Sequence, residues 1–126
     1  MLFLGAVSGS GCATVDNRDP EAIVGERVMQ QMRAFMDLDY DLALGYMTPG
    51  YQQSPRAERF QGEFSGSGWW QDVTLKSVDC GEATDATRCS VRVIIMMMRP
   101  PAVRSPLPMP YDMTWVKLDG QWFHYR

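Results

Sequence analysis

The sequence predicts an α+β domain, because apolar residues recur at helical spacing in its first half and alternate with period two in its second half. Its 126 residues suit a single domain. Hydrophobic residues make up 45% and charged residues 21% of the chain, which is typical of a folded protein rather than a disordered one. A net charge of -3 disfavours a nucleic-acid-binding protein, because that class is usually basic.

The first predicted helix begins after Asp19, whose side chain can cap it, with Pro20 at the first helical position. Apolar residues at helical spacing form its buried stripe, and the polar residues between them are assigned to the solvent side. The stripe contains Val24, Val28, Met32, Phe35 and Met36, and the solvent side contains Arg27, Gln30, Gln31 and Arg33.

Two shorter helices are predicted to follow the first. Asp39 caps a segment that ends at residues 48–50, where a threonine, a proline and a glycine interrupt it. Residues 54–55, a serine and a proline, open another segment. In that segment Phe60 and Phe64 lie four residues apart and therefore share one face.

A glycine- and serine-rich stretch at 65–68 is predicted to be a flexible break, and the period then changes to two. Strands are predicted at 70–80, at 88–98 and around 111–118, and the last strand returns through a hairpin turn at Asp119 and Gly120. On the second strand Val91, Val93, Ile95 and Met97 face one way, and Ile94, Met96 and Met98 face the other. The stiff loop predicted before the third strand contains Pro100, Pro101, Pro106, Pro108 and Pro110.

The first residues predict a processing signal, because an apolar run ends in small residues immediately before Cys12. This ending resembles that of a bacterial lipoprotein signal, in which the cysteine becomes the lipidated N-terminus. The resemblance implies a signal at 1–11, a tether at 12–20 and a domain at 21–126. It places the domain on the periplasmic face of the outer membrane, held there only by the lipid. The alternative is a frayed N-terminus with an incidental cysteine.

The other two cysteines, Cys80 and Cys89, flank a turn-like segment between two predicted strands. If the strands pair as a hairpin, Cys80 lies opposite Cys89 and Val78 lies opposite Val91, which permits a disulfide. An oxidising compartment would allow that bond to form. The alternative is a pair of free thiols in a reducing compartment.

The order of elements and two local motifs carry a resemblance to a known superfamily. One motif is the corner formed by a short helix, Pro49 and the aromatic Phe60, and the other is the closing hairpin from Trp115 to Trp122. From about residue 20 to residue 126 the chain resembles the nuclear transport factor 2-like superfamily, which includes polyketide-cyclase-like and ketosteroid-isomerase-like proteins. The resemblance implies helices packed in a curved antiparallel sheet, a cystatin-like cone or barrel with a pocket. It leaves the activity open, because this fold supports many functions.

Enzymes of that superfamily place an acid or a base inside the cone, often beside a tyrosine. The candidates for such catalysis are Asp37, Tyr40 and His124. The structural alternative is that Asp37 stays solvated at a helix junction and that His124 is simply packed.

Flexible methionine and aromatic side chains would suit a pocket for a small apolar ligand. The residues expected to line it are Phe35, Phe60, Phe64, Met113 and Trp115, and the alternative for each is ordinary core packing. No metal and no cofactor are expected, because the sequence contains neither a nucleotide-binding motif nor a set of metal ligands.

These observations together predict an envelope lipoprotein whose domain is not catalytic and binds a small apolar ligand or a protein partner. One alternative is an isomerase or dehydratase that uses an Asp and a Tyr. Another is a dimeric accessory subunit of an envelope complex, since members of the superfamily often form a homodimer through the open face of the sheet. The doubly apolar strand at 88–98 would permit that dimer.

Overall fold

The computed structural model describes residues 18–98 and 105–126, and within them helices precede a curved antiparallel sheet. The α+β prediction is confirmed. The helices are α1 (Pro20–Met36), α2 (Tyr40–Leu44), α3 (Pro49–Gln52) and α4 (Phe60–Glu63), with 3-10 turns at Pro55–Arg59 and Ser65–Trp69. The strands are β1 (Trp70–Asp79), β2 (Arg88–Met97), β3 (Leu107–Leu118) and β4 (Gln121–Tyr125), and they pair in chain order.

Helix α1 begins and ends where its backbone groups find partners. The carboxylate of Asp19 accepts a hydrogen bond from the backbone N–H of Glu21 at 3.3 Å, as its sequence position predicts. At the other end, the N–H of Leu38 donates to the carbonyl of Phe35, and the N–H of Asp39 donates to the carbonyl of Ala34. This double closure places Leu38 in the left-handed region, with φ of 60°.

Two segments between α2 and the sheet are more ordered than the sequence predicts. Helix α2 ends at Leu44, before the predicted end at 48–50. Thr48 instead caps α3, because its hydroxyl accepts a hydrogen bond from the N–H of Tyr51 at 3.2 Å. The predicted break at 65–68 is wrong, because these residues form a 3-10 turn with Ser67 buried. The hydroxyl of Ser67 donates to the carbonyl of Phe35 at 2.9 Å, so this turn is fixed to the end of α1.

The sheet bends around α1, and alternate residues of each strand face that helix. Two register shifts in β1, between Trp70 and Asp72 and between Leu75 and Ser77, bend this strand. Gly25 of α1 lies close to β1. A Cβ at that position would be 3.0 Å from the side chain of Leu75. The predicted inward face of β2 is confirmed for Val91, Val93 and Ile95, which are buried, while Ile94 and Met96 on the outer face are partly buried.

Two prolines that the sequence assigns to a stiff loop, Pro108 and Pro110, lie within β3. The N–H of Lys117 points toward β2 and donates to the carbonyl of Thr87, so even-numbered residues of β3 direct their backbone nitrogen away from β2. Strand β4 pairs only with Thr114–Leu118, so no strand lies on the side to which the nitrogens of Pro108 and Pro110 point. The missing N–H groups of these prolines therefore cost no hydrogen bond of the sheet. Of the other prolines, Pro106 precedes β3, and Pro100 and Pro101 lie outside the described residues.

The hairpin that joins β1 to β2 and the hairpin that joins β3 to β4 follow the sequence prediction. Asp119 and Gly120 have φ of 50° and 81°, the left-handed pair that a two-residue hairpin turn requires. In the other hairpin Val78 pairs with Val91, and the sulfurs of Cys80 and Cys89 are 2.00 Å apart. The predicted disulfide is therefore present. Cys12 lies outside the described residues.

Candidate functional site

The three catalytic candidates lie on three different elements. Asp37 is exposed at the C-terminal cap of α1. Tyr40 opens α2, and its hydroxyl lies 3.1 Å from Oγ of Ser67 and donates to the carbonyl of Phe64 at 3.3 Å. His124 is buried on β4. Among the described residues no hydrogen bond joins any two of the three candidates, so the structure does not assemble them into one acid–base site.

His124 instead forms a buried polar pair with Gln31 of α1. Its Nδ1 lies 3.0 Å from Oε1 of Gln31, and both side chains have at most 1% of their surface exposed. The amide nitrogen of Gln31 donates to the carbonyl of Ala43 at 3.1 Å and lies 3.3 Å from the sulfur of Met47. Because this orientation leaves Oε1 as the acceptor, the hydrogen-bond network assigns the proton of the imidazole to Nδ1.

Burial, and to a smaller extent the nearby positive charge of Arg126, lowers the pKa of His124 from 6.5 to about 3. The imidazole is therefore neutral and weakly basic at neutral pH. It stacks on Trp115, with ring centroids 5.7 Å apart and planes inclined by 11°. The indole N–H of Trp115 is buried and has no hydrogen-bond partner among the described residues.

The residues expected to line a ligand pocket, Phe35, Phe60, Phe64, Met113 and Trp115, are all buried in the core. The ring of Phe35 stacks on Phe64 with centroids 4.4 Å apart and lies 5.6 Å from Phe60. Trp70 packs edge-on against Phe35 at 5.7 Å. Side chains thus occupy the space between α1 and the concave face of the sheet.

Open hollows lie outside this core, and two of them border features described above. A hollow of about 430 Å³ on the outer face of the sheet is polar, and Arg92 and Asp112 form an ion pair at 2.7 Å beside it. A groove of about 420 Å³ runs between α1 and α2 and is more apolar. The groove is lined by Glu26, Met29, Gln30, Arg33, Ala34, Asp37, Leu42 and Tyr46.

Exposed leucines and aspartates alternate at the junction of α1 and α2. Leu38 is 55% exposed and Leu42 is 52% exposed. Three exposed aspartates, Asp37, Asp39 and Asp41, separate and flank them. We call these five residues the acidic leucine face, which continues into the groove through Asp37 and Leu42.

No family model and no curated protein matches this chain, whereas solved structures resemble it. A Campylobacter jejuni protein provisionally named an NTF2-like transpeptidase superimposes with a TM-score of 0.62 over 82% of this chain and 97% of its own, at 9% identity. A designed NTF2-like protein has a TM-score of 0.59 over 82% and 93%, at 14% identity. A SEC-C motif-containing protein from Rhodopseudomonas palustris has a TM-score of 0.57 over 86% and 76%, at 16% identity.

The chain has the NTF2-like fold. The helices packed against a curved antiparallel sheet match the architecture that the resemblance implies, so this prediction is confirmed. Within 18–98 and 105–126, the NTF2-like domain contains no group of three or more His, Cys, Asp or Glu residues that could hold a metal ion. No helix in the described part of the chain is long and apolar enough to cross a membrane.

The sequence prediction placed one residue of the buried pair on the wrong side of α1. Gln31 was assigned to the solvent side, but it is fully buried. Its spacing carried a signal, because Gln31 lies three residues after Val28 and four before Phe35 and is therefore on the apolar stripe. A polar side chain inside that stripe indicates a buried hydrogen bond, which the NTF2-like domain makes to His124.

Proposed function

We propose that this protein is a lipid-anchored NTF2-like module of the bacterial envelope, that it is not catalytic, and that it binds a protein partner. The observation that carries this proposal is the filled interior, in which the packed rings of Phe35, Phe60 and Phe64 occupy the space that a ligand would need. Recognition then falls to the outer surface, where the groove and the exposed leucines lie.

The geometry of the catalytic candidates supports a non-catalytic module. A general base must reach its substrate and must have a pKa near the working pH. His124 is enclosed in the core, and its pKa of about 3 makes it a weak base. The hydroxyl of Tyr40 holds the turn at Ser67, and Asp37 lies apart from both.

The location in the envelope is supported by the cysteines. The Cys80–Cys89 disulfide suits an oxidising compartment such as the periplasm. Cys12 follows the apolar run and small residues that are typical of a lipoprotein signal, and α1 begins at Pro20, eight residues later. The proposed anchor is therefore joined to the domain by a short tether.

One variant of this proposal has a second copy of the chain as the partner. The outer face of the sheet carries Ile94 and Met96, which are only partly buried and pair with Pro110 and Pro108 of the neighbouring strand. Pairing of two such faces would cover these side chains. A small apolar ligand remains the other variant, and it requires the rings of Phe35 and Phe64 to separate.

Intact mass and photocrosslinking in cells test the proposal together. Expressed with its own signal, the protein is expected to start at Cys12, to carry a diacylglycerol-sized increment and to gain two hydrogens on reduction. An unmodified chain with three free thiols would rule out the envelope location.

A photocrosslinking amino acid replaces Leu42 in the groove, Ile94 on the sheet or, as an exposed polar control, Gln61. An adduct to another protein from Leu42 or Ile94, but not from Gln61, supports a partner-binding module. A self-adduct from Ile94 identifies the homodimer. Absence of adducts from both positions contradicts a protein partner, and tight binding of an apolar fluorophore that quenches tryptophan fluorescence would support the ligand variant instead.

A further inference from the structure

Leu38 adopts a backbone conformation that glycine would adopt with less strain. Its φ of 60° lies in the left-handed region, at the position after a helix where glycine predominates. The hydrogen bonds that close α1 there come from backbone atoms alone, so the leucine side chain is not needed to make them. That side chain remains 55% exposed. A strained residue with an exposed apolar side chain points to a role in contact with another molecule.

The neighbouring groove offers an apolar floor next to this leucine. Met29 and Ala34 line it from α1, and the ring of Tyr46 lines it from the turn after α2. Leu42 lies on its edge with 52% of its surface exposed. The hydroxyl of Tyr46 donates to Gln30 at 3.0 Å, which holds the ring in place. An apolar groove between two helices suits the apolar face of a third helix.

The charges around the groove indicate which side chains that helix would carry. Asp37 and Asp41 form no ion pair with any described residue, while the carboxylate of Asp39 accepts a hydrogen bond from the N–H of Leu42 as a helix cap. Glu26 on the far wall pairs with Arg18 at 2.8 Å. Arg33 is a basic residue on the same groove, so carboxylates outnumber cations there. Such a surface repels anionic lipid headgroups and attracts a basic segment.

The acidic leucine face also lies at the end of α1 that is remote from the proposed anchor. Helix α1 has 17 residues, which corresponds to about 25 Å between its two ends. The tether would join the domain at Pro20, whereas Leu38 follows the last turn of α1. The face is therefore directed away from the anchored end of the module, where a protein can reach it.

We propose that the acidic leucine face and the adjoining groove dock a basic amphipathic helix of the partner protein. This inference rests on the proposed function and names the surface and the chemistry through which the partner is bound. Leucine-type side chains of that helix would fill the groove beside Leu42 and cover Leu38. Its lysine or arginine side chains would lie opposite Asp37 and Asp41.

A model helix of defined composition tests this chemistry on the full-length protein. The probe is a fluorescently labelled fourteen-residue peptide with leucines at one helical face and lysines elsewhere, and its control carries glutamates in place of the lysines. Anisotropy titrations are expected to show binding of the lysine peptide alone, weakened by added salt. Equal binding of both peptides, or no binding of either one, would overturn the proposal.

Matched variants identify the surface that binds. Leu38→Gly and Leu42→Gln are each expected to weaken binding of the lysine peptide about fivefold to tenfold, because each removes an exposed apolar contact. Leu118→Gln is the control, since Leu118 is 42% exposed on the far hairpin. The double variant Asp37→Asn and Asp41→Asn is expected to weaken binding and to reduce its salt dependence. Unchanged affinity in all of these variants would exclude this face.

The position of the crosslink in cells separates this inference from the proposed function. An adduct from Leu42 whose partner segment, mapped by mass spectrometry, is a basic amphipathic helix supports both. A heterologous adduct from Ile94 alone refutes the docking site but leaves the partner-binding function standing. A self-adduct from Leu42 would identify a second copy of the chain as the occupant of the face. Binding of the protein to anionic vesicles that the lysine peptide competes away would identify a membrane surface as the occupant. Either result would overturn the proposal.

Discussion

The buried histidine predicts how the stability of this domain depends on pH. His124 is the only histidine in the 126-residue sequence. Its pKa falls from 6.5 to about 3 in the folded protein, mainly because burial disfavours the charged imidazolium. The folded state therefore binds the proton less readily than the unfolded state does. Stability should be complete above pH 6.5 and should fall as the pH decreases toward 3.

The magnitude follows from the two pKa values. Each unit of difference corresponds to about 1.4 kcal/mol, so the loss accumulates to about 5 kcal/mol once the pH is below both values. Between pH 7 and pH 5 the expected decrease in the free energy of unfolding is about 2 kcal/mol. This window is informative because unperturbed Asp and Glu side chains, with pKa values of about 4, remain ionised throughout it.

Urea unfolding followed by tryptophan fluorescence at pH 7, 6 and 5 measures this effect. The matched control is His124→Gln, which keeps a hydrogen-bonding side chain for Gln31 but has no titrating group. Its free energy of unfolding is lower at pH 7, because the stacking on Trp115 is lost, but it should change by less than about 0.5 kcal/mol down to pH 5. Parallel curves for the two proteins would refute the assignment of a buried neutral imidazole.

Three further predictions concern stability and are measured by the same urea titration. Leu38→Gly should raise the free energy of unfolding by about 0.5–1 kcal/mol, because it relieves a left-handed backbone conformation; a decrease would contradict that strain. Replacing Cys80 and Cys89 together by alanine should lower it by about 2–3 kcal/mol, since the closed loop no longer restricts the unfolded chain, and an unchanged urea midpoint would argue against the disulfide. Gln31→Leu should lower it by about 2–4 kcal/mol, because the buried imidazole N–H of His124 loses its acceptor and the carbonyl of Ala43 loses one of its donors. A neutral effect of Gln31→Leu would show that this pair contributes nothing to stability.

The elements that the sequence predicts well are those that depend on neighbouring residues. The caps at Asp19 and Asp39 and the turn at Asp119 and Gly120 are local hydrogen-bonding and backbone preferences, and each occurs where predicted. The pairing of Cys80 with Cys89 follows from the length of one short hairpin. Such features need no knowledge of the rest of the fold.

The features that the sequence prediction missed depend on distant parts of the chain. Pro108 and Pro110 are accommodated in β3 because no strand pairs with that part of its edge, which only the length of β4 determines. Ser67 is buried because the carbonyl at the end of α1 accepts its hydroxyl proton, so a glycine- and serine-rich segment becomes an ordered turn. The candidate site has the same difficulty. Whether Asp37, Tyr40 and His124 meet is decided by tertiary packing and not by spacing.

The last strand also sets the time at which the domain becomes complete. Strand β4 is the last element in chain order among the described residues, yet its Trp122 and His124 fill the core, and His124 is 93 residues from its partner Gln31. The backbone of His124 also pairs with Met47, so the helical half of the chain gains this contact only when β4 is present. While the ribosome still encloses β4, the emerging chain lacks these contacts and cannot close its core. The helices and the first three strands therefore remain without a closed core until β4 is available, so the domain forms in one late, cooperative step.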